Sequence, residues 1–203
     1  PPGRAGPGNP IPTGGVLGRP GGGREHARLL GALGAEGAVI RRPGDLVGPD
    51  GVRVDALVLP GGESSVIDRL VRRLGLQEPL RNAIRAGLPA LGTCAGLIEL
   101  SARVLNPAPG QRSLGVLDVT VDRNAFGPQI ASRVTTVATA WGPIRAALIR
   151  APRIAAVGPR AEAVARDEDI VLGARQGTVI GVSFHPEITG DPTLHRALLE
   201  LAG

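Results

Sequence analysis

The chain of 203 residues suits one α/β domain better than two, and its 42% of hydrophobic residues suffices for a core of Val, Leu, Ile and Ala. No apolar run is long enough to cross a membrane, and the single cysteine excludes an internal disulfide and a four-cysteine zinc site. The net charge of +5 comes from scattered arginines without interleaved aromatic residues, which does not favour nucleic-acid binding. A free thiol and the lack of a basic-then-apolar secretion signal predict a cytoplasmic protein.

The first thirteen residues are rich in Pro and Gly and have no apolar periodicity. We therefore expect residues 1–13 to be a disordered leader and the folded domain to span residues 14–203. In the first half of that domain, punctuated apolar runs predict strands at Gly15–Leu17, Ala38–Ile40, Ala56–Leu59 and Leu88–Leu91, and helices at Arg24–Leu33, Ser65–Leu74, Glu78–Ala86 and Cys94–Arg103.

The second half reads mainly as strands followed by one closing helix. The predicted strands are Val116–Val121, Val134–Ala140, Ile144–Ile149, Ala161–Ala165, Ile170–Ala174 and Thr178–Phe184, and the closing helix is Thr193–Leu201. Early alternation of strands and helices with later hairpins predicts a three-layer, flavodoxin-like α/β fold. In this fold a mixed, mostly parallel sheet lies between helices.

Cys94 stands between an apolar strand and a helix and is flanked by Gly92 and Gly96. Small neighbours allow a sharp turn, so the side chain between them projects from the end of the strand. The N-terminus of the following helix favours the thiolate, and the N–H of Ala95 points toward charge that develops on a substrate oxygen. A buried cysteine that acts as a small hydrophobe is the alternative, but the spacing favours a nucleophile.

A nucleophilic thiol needs a base, and His185 ends the last apolar strand. On extended backbone Glu187 faces the same side as His185, so its carboxylate can hold the imidazole tautomer. We therefore predict a triad of Cys94, His185 and Glu187. His26 is predicted to lie on the surface or to face a partner, and His195 is assigned no chemistry.

A second strand-to-helix junction lies at Pro60-Gly61-Gly62-Glu63. Its glycines let backbone N–H groups approach a ligand, and the N–H of Gly62 is a candidate second donor to an oxyanion. Glu63, at a helix start, can meet a substrate ammonium group. The alternative is a purely structural turn. A phosphate-binding P-loop is excluded because the Walker pattern and its lysine are absent.

In order and context these segments resemble class I glutamine amidotransferases, and among them the glutaminase-subunit family of pyridoxal 5′-phosphate synthase. GTCAGL at Gly92–Leu97 and HPE at His185–Glu187 are shared by many amidotransferases, whereas RNAFG at 123–127 and IRAP at Ile149–Pro152 are typical of this subfamily. The other matching stretches are GVLG at Gly15–Gly18, REH at Arg24–His26, LPGGES at Leu59–Ser64, LGVLDVTVDRNAFG at Leu114–Gly127, ARQG at Ala174–Gly177 and SFHPEITGD at Ser183–Asp191.

The resemblance implies a class I glutamine amidotransferase-like fold and hydrolysis of L-glutamine to glutamate and ammonia by the predicted triad. It implies an oxyanion hole of the N–H groups of Gly62 and Ala95, and pairing of Arg150 with the substrate α-carboxylate. Ammonia then passes to a PdxS-type synthase subunit in a hetero-oligomer, without a metal or an organic cofactor. The implied glutamine-binding positions are Gly61, Gly62, Glu63, Ile149 and Arg150.

Three departures from the family pattern stand in the sequence. After Gly18 the family has Leu-Gln-Gly, but this chain has Arg19-Pro20-Gly21, and Pro128 replaces an Arg that helps to bind glutamine. Residues 130–141 lack the acidic, Phe-containing pattern of the family. The alternatives are a degenerate paralogue that binds a partner without turnover, and a glutaminase subunit of another pathway such as imidazole glycerol phosphate synthesis.

Overall fold

The computed structural model describes residues 11–18, 22–124 and 133–203. The strands are β1 (Thr13–Leu17), β2 (Glu36–Ile40), β3 (Val47–Gly48), β4 (Gly51–Val52), β5 (Ala56–Leu59), β6 (Ala90–Thr93), β7 (Ser101–Leu105), β8 (Leu117–Asp122), β9 (Arg133–Thr139), β10 (Gly142–Leu148), β11 (Arg153–Val157), β12 (Glu162–Asp167), β13 (Ile170–Gln176) and β14 (Val179–Val182). The helices are α1 (Gly23–Ala32), α2 (Pro43–Leu46), α3 (Ser64–Arg73), α4 (Gln77–Arg85), α5 (Ala95–Leu100), α6 (Pro186–Thr189) and α7 (Thr193–Glu200).

Nine strands form one central sheet in the order β10-β9-β12-β13-β14-β6-β5-β1-β2. From β14 to β2 all neighbours are parallel, and from β10 to β14 all are antiparallel. The predicted mixed α/β sheet between helices is thus confirmed, but the expectation that it is mostly parallel is wrong, because parallel and antiparallel pairs are equal in number. A three-stranded sheet, β11-β8-β7, and the β3–β4 hairpin lie outside it.

Two apolar clusters make the fold three-layered. Residues of α3, α4 and α5 pack with the small sheet in one cluster, and residues of α1 and α7 pack in the other. Strands β5 and β6 are buried at every position, as expected for central parallel strands covered on both faces. The core therefore packs on both faces of these two strands. Their carboxyl ends lead into the turns at Gly61-Gly62 and at Gly92–Gly96.

The predicted helix Cys94–Arg103 is wrong beyond Leu100. Helix α5 ends there, and the chain continues directly as β7, which pairs in parallel with β8. The hydroxyl of Ser101 donates to the carbonyl of Ile98 and caps this end. Strand pairing of Val104 with Val121 in the small sheet outweighs the weak helical periodicity of the segment.

Smaller differences concern element bounds. The strand predicted at Leu88–Leu91 is β6, two residues later, and β11 was not predicted at all. Strand β1 begins at Thr13, which the sequence placed in the leader, whereas residues 1–10 lie outside the described residues. The departures at 19–21 and at Pro128 also lie outside them, as do residues 130–132 of the third.

Candidate active site

The sheet topology brings the two candidate catalytic strand ends together. Strands β6 and β14 are parallel neighbours, with Thr93 opposite Val182. Cys94 directly follows β6, and its N–H donates to the carbonyl of Val182 over 2.8 Å. His185 leaves the same edge after β14, and its N–H donates to the carbonyl of Ala147 over 2.9 Å. Cys94 and His185 thus meet because adjacent parallel strands end at one edge.

The turn at Cys94 is sterically tight. Cys94 has φ +51° and ψ −105°, a conformation that a residue with a side chain rarely adopts. An added Cβ at Gly96 would lie 1.9 Å from the carbonyl oxygen of Leu59, and one at Gly92 would lie 2.6 Å from the carbonyl carbon of Gly96. The two glycines therefore act by leaving room for close packing, while the cysteine itself takes the strained turn.

Cys94 and His185 line the same cavity, and His185 Nδ1 lies 2.6 Å from Oε1 of Glu187. Burial lowers the pKa of His185, but the hydrogen bonds and charges of Cys94 and Glu187 outweigh burial and raise the pKa to about 10. Because Nδ1–H donates to Glu187, Nε2 is the nitrogen that serves Cys94. Cys94, His185 and Glu187 therefore lie together, and Glu187 holds the His185 ring in one orientation.

Glu187 reaches His185 by a different route from the predicted one. The backbone is extended at His185, but Pro186 begins the one-turn helix α6, so Glu187 lies on helical rather than extended backbone. Burial raises the pKa of Glu187, yet its hydrogen bonds with His185 and His26 lower the pKa to about 2. The carboxylate is thus ionised behind the imidazole at neutral pH.

The prediction that His26 lies at the surface is wrong. His26 is fully buried, because it shares the apolar face of α1 with Leu29 and Leu30, three and four residues further on. That spacing was the signal in the sequence that could have placed it inside. Its ring lies between Glu187 and His195, so the site contains two buried histidines beyond the predicted triad.

An open cavity of about 530 Å³ lies in front of the triad. Gly62 and Ala95, the predicted oxyanion donors, both line it beside Cys94. Ala95 is the first residue of α5, where backbone N–H groups have no partner within the helix. Gly62 has φ +138°, which favours glycine at this position. The lining comprises Gly62, Glu63, Ser64, Cys94, Ala95, Ile98, Arg123, Asn124, Ile149, Arg150, Ala151, Pro152, His185 and Ile188.

Gly61 is packed against the triad rather than on the cavity wall. An added Cβ there would lie 2.3 Å from Cε1 of His185 and 3.4 Å from Cβ of Cys94. Ile149 and Arg150 follow β10 and line the cavity opposite this loop. Arg150 is exposed, has φ +42°, and forms no ion pair within the part of the chain that the structure describes.

Glu63 is engaged by its own loop and by an arginine that the sequence did not single out. Its carboxylate accepts from the N–H groups of Ser65 and Val66 at the start of α3, and Nη2 of Arg123 lies 2.8 Å away. Burial raises the pKa of Glu63, but these hydrogen bonds lower it to about 2. Arg123 also donates to Ser64 Oγ, and it lines the cavity together with Asn124.

Among residues 11–18, 22–124 and 133–203, no group of three or more His, Cys, Asp or Glu side chains is arranged to hold a metal ion. Over the same ranges, no helix is long and apolar enough to cross a membrane.

The family model of the SNO glutamine amidotransferases matches residues 16–200. A pyridoxal 5′-phosphate synthase subunit PdxT from Clavibacter michiganensis subsp. michiganensis is 49% identical over 194 residues, which cover 94% of this chain and 90% of that protein. A protein of the same name from Corynebacterium glutamicum (strain R) is 48% identical, with 93% and 95% covered. A crystal structure titled as a glutamine amidotransferase superimposes with a TM-score of 0.86 at 41% identity, covering 94% of this chain and 99% of its own.

Proposed function

The chain belongs to the SNO glutamine amidotransferase family, and we propose that it hydrolyses L-glutamine to L-glutamate and ammonia for pyridoxal 5′-phosphate synthesis. The observation that carries the chemistry is the placement of Cys94 and His185 on the wall of one open cavity, with Nδ1 of His185 bound to Glu187. A thiol, a base and an orienting carboxylate in this order are what acyl transfer from an amide requires.

In the first half-reaction the Cys94 thiolate attacks the side-chain amide carbon of glutamine. The C=O π electrons move onto oxygen, and the N–H groups of Gly62 and Ala95 stabilise the resulting oxyanion. His185 then gives its proton to the departing nitrogen as the C–N bond breaks, which releases ammonia and leaves a γ-glutamyl thioester on the sulfur.

In the second half-reaction a water molecule attacks the thioester carbon. Deprotonated His185 accepts a proton from that water, and the C–S bond breaks to yield glutamate and the Cys94 thiolate. Glu187 takes no proton in either step; it holds the tautomer of His185 and stabilises the imidazolium.

The cavity wall offers complementary charges for the α-amino and α-carboxylate groups of glutamine. Arg150 presents an exposed guanidinium that suits the α-carboxylate, and the backbone of Ile149 lies beside it. Glu63 suits the α-ammonium group, and its ion pair with Arg123 fixes the position of its carboxylate. Arg123 therefore joins the glutamine-binding residues that the sequence predicted.

We further propose that the ammonia passes to a synthase subunit of the PdxS type in a hetero-oligomer. The support is that the relatives from Clavibacter and Corynebacterium are named as subunits of pyridoxal 5′-phosphate synthase. A cytoplasmic location fits this proposal because the nucleophilic Cys94 must stay reduced. Nucleic acid has no part in the reaction.

Release of ammonia from L-glutamine, with and without a pyridoxal 5′-phosphate synthase subunit, tests the proposal. We expect turnover in the presence of that subunit, and none for Cys94→Ala at an unchanged melting temperature. Absence of ammonia at saturating glutamine, with a synthase subunit shown to bind, would overturn it. Rapid labelling of Cys94 by a glutamine-like electrophile, suppressed by glutamine, would exclude a merely partner-binding paralogue.

A further inference from the structure

Behind the triad lies a buried chain of polar groups that the reaction above does not use. His26 Nε2 is 3.5 Å from Oε1 of Glu187 and 3.3 Å from Oγ1 of Thr93, the residue that precedes Cys94. His26 Nδ1 is 2.8 Å from Nε2 of His195 on α7. Both histidines are fully buried, so water cannot substitute for these partners.

Hydrogen-bond counting fixes the direction of this chain. Nδ1 of His195 is buried without a hydrogen-bond partner among the described residues. A proton on that nitrogen would be an orphaned buried donor, which is more costly than a bare lone pair. The proton of His195 therefore lies on Nε2 and is donated to Nδ1 of His26. His26 then carries its proton on Nε2, which faces Glu187 and Thr93.

The charges around His195 agree with this direction. Burial and the neighbouring His26 lower the pKa of His195 to about 3, against the opposing effect of Glu187 and Asp191. His195 is thus neutral, and only one of its two ring nitrogens carries a proton. The hydrogen bonds are thus donated in one direction, from His195 on α7 to His26 on α1 and from His26 to the carboxylate of Glu187 on α6.

We propose that His26 is a positioning residue for glutamine hydrolysis: its Nε2–H holds the Glu187 carboxylate in the orientation that aligns His185 with Cys94, and His195 fixes the tautomer of His26. This role rests on the proposed function, because it acts through the triad. Oε1 of Glu187 receives both His185 and His26, and Oε2 has no partner within the described ranges. The His26 contact, which is 3.5 Å long and whose Nε2 also faces Thr93, is therefore the second polar contact of a carboxylate that otherwise has one.

Two polar substitutions at position 26 separate this role from simple packing. In His26→Gln the amide N–H₂ group replaces Nε2 and can still reach Glu187, whereas in His26→Asn the amide occupies the position of Nδ1 and cannot. Both variants remove the ring, and the void in His26→Asn is larger by one methylene group, so any loss of packing is read separately from the melting temperature. The measurement is the rate of Cys94 alkylation by iodoacetamide at pH 7 in the full chain, with melting temperature as the control for folding.

We expect His26→Asn to slow alkylation about tenfold, the size of one lost hydrogen bond to a charged group, and His26→Gln to stay within about threefold of wild type. In glutamine turnover the loss should fall on kcat rather than KM, because the cavity wall is untouched. Equal alkylation rates in wild type and both variants, or equal losses that track melting temperature, would overturn the positioning role.

His195→Phe provides an independent arm, since it keeps a ring but removes the donor to His26. Its effect should vanish in the background of His26→Asn, because His195 acts only through His26. Additive losses would contradict the proposal that His195 acts through His26. Alkylation needs no glutamine turnover, so failure of the proposed function and failure of this inference give different results.

Discussion

At the junction of β6 and α5 the positive φ angle falls on Cys94, whereas at the junction of β5 and α3 it falls on Gly62. The first junction keeps a side chain in a strained turn and clears space with Gly92 and Gly96 on either side. The second supplies backbone N–H groups and relieves the strain with glycine, while Glu63 caps the following helix. The reactive residue is thus held by the packing of its neighbours, and the binding loop by its own hydrogen bonds.

The largest effect should come from breaking the packing at the first junction. In Gly96→Ala the new methyl group would meet the Leu59 carbonyl at 1.9 Å, which only a shift of α5 away from β5 can relieve. We expect a loss of about 3 kcal/mol or more in the free energy of unfolding, measured by urea denaturation. Gly31→Ala on α1, where nothing lies within 4 Å, is the matched control and should be stabilising; a similar loss there would refute the packing argument.

A substitution at the second junction should lower the catalytic rate and leave the stability of the fold nearly unchanged. In Gly61→Ala the methyl group would displace the His185 ring, whose Cε1 lies 2.3 Å from the added carbon. We expect kcat to fall about 100-fold, as for a misplacement of about 1 Å, with little change in melting temperature. A normal kcat would show that the loop does not fix His185.

Loss of the helix cap should have a smaller effect at the same loop. Glu63→Ala removes the acceptor for the N–H groups of Ser65 and Val66, and we expect a loss of about 1 kcal/mol in the free energy of unfolding. Glu63→Gln keeps an acceptor oxygen and should lose less. If Glu63→Gln lost as much as Glu63→Ala, the ion pair with Arg123 rather than the cap would hold the loop.

The free energy of unfolding should depend on pH through His185, which lies at the first junction beside Cys94. The pKa of His185 is raised from 6.5 to about 10 on folding, so its protonated form stabilises the native state fully below pH 6.5 and this contribution disappears as the pH rises toward 10. The gap in unfolding free energy between wild type and His185→Gln should therefore shrink from pH 6.5 to 10. A gap that stays constant over this range would contradict the coupling of His185 to Cys94 and Glu187.

Local signals predicted the strands of the parallel half of the sheet and the strand ends at which Cys94 and His185 lie, because each of these strands is one contiguous segment. The run ending at Thr93 and the run ending at Phe184 are both apolar and both bounded by chemistry-bearing residues. What the sequence did not reveal depends on partners distant along the chain. Strand β7 exists through its pairing with β8, and the polar partners of His26, Thr93 and His195, lie 67 and 169 positions further on.

Cys94 should react as one unit with His185. The initial rate of Cys94 alkylation by iodoacetamide at pH 7, compared between wild type and His185→Gln, tests it most directly. Wild type should react at least about tenfold faster than His185→Gln, because the imidazolium stabilises the thiolate. Equal rates in the two proteins, with both folded, would contradict it.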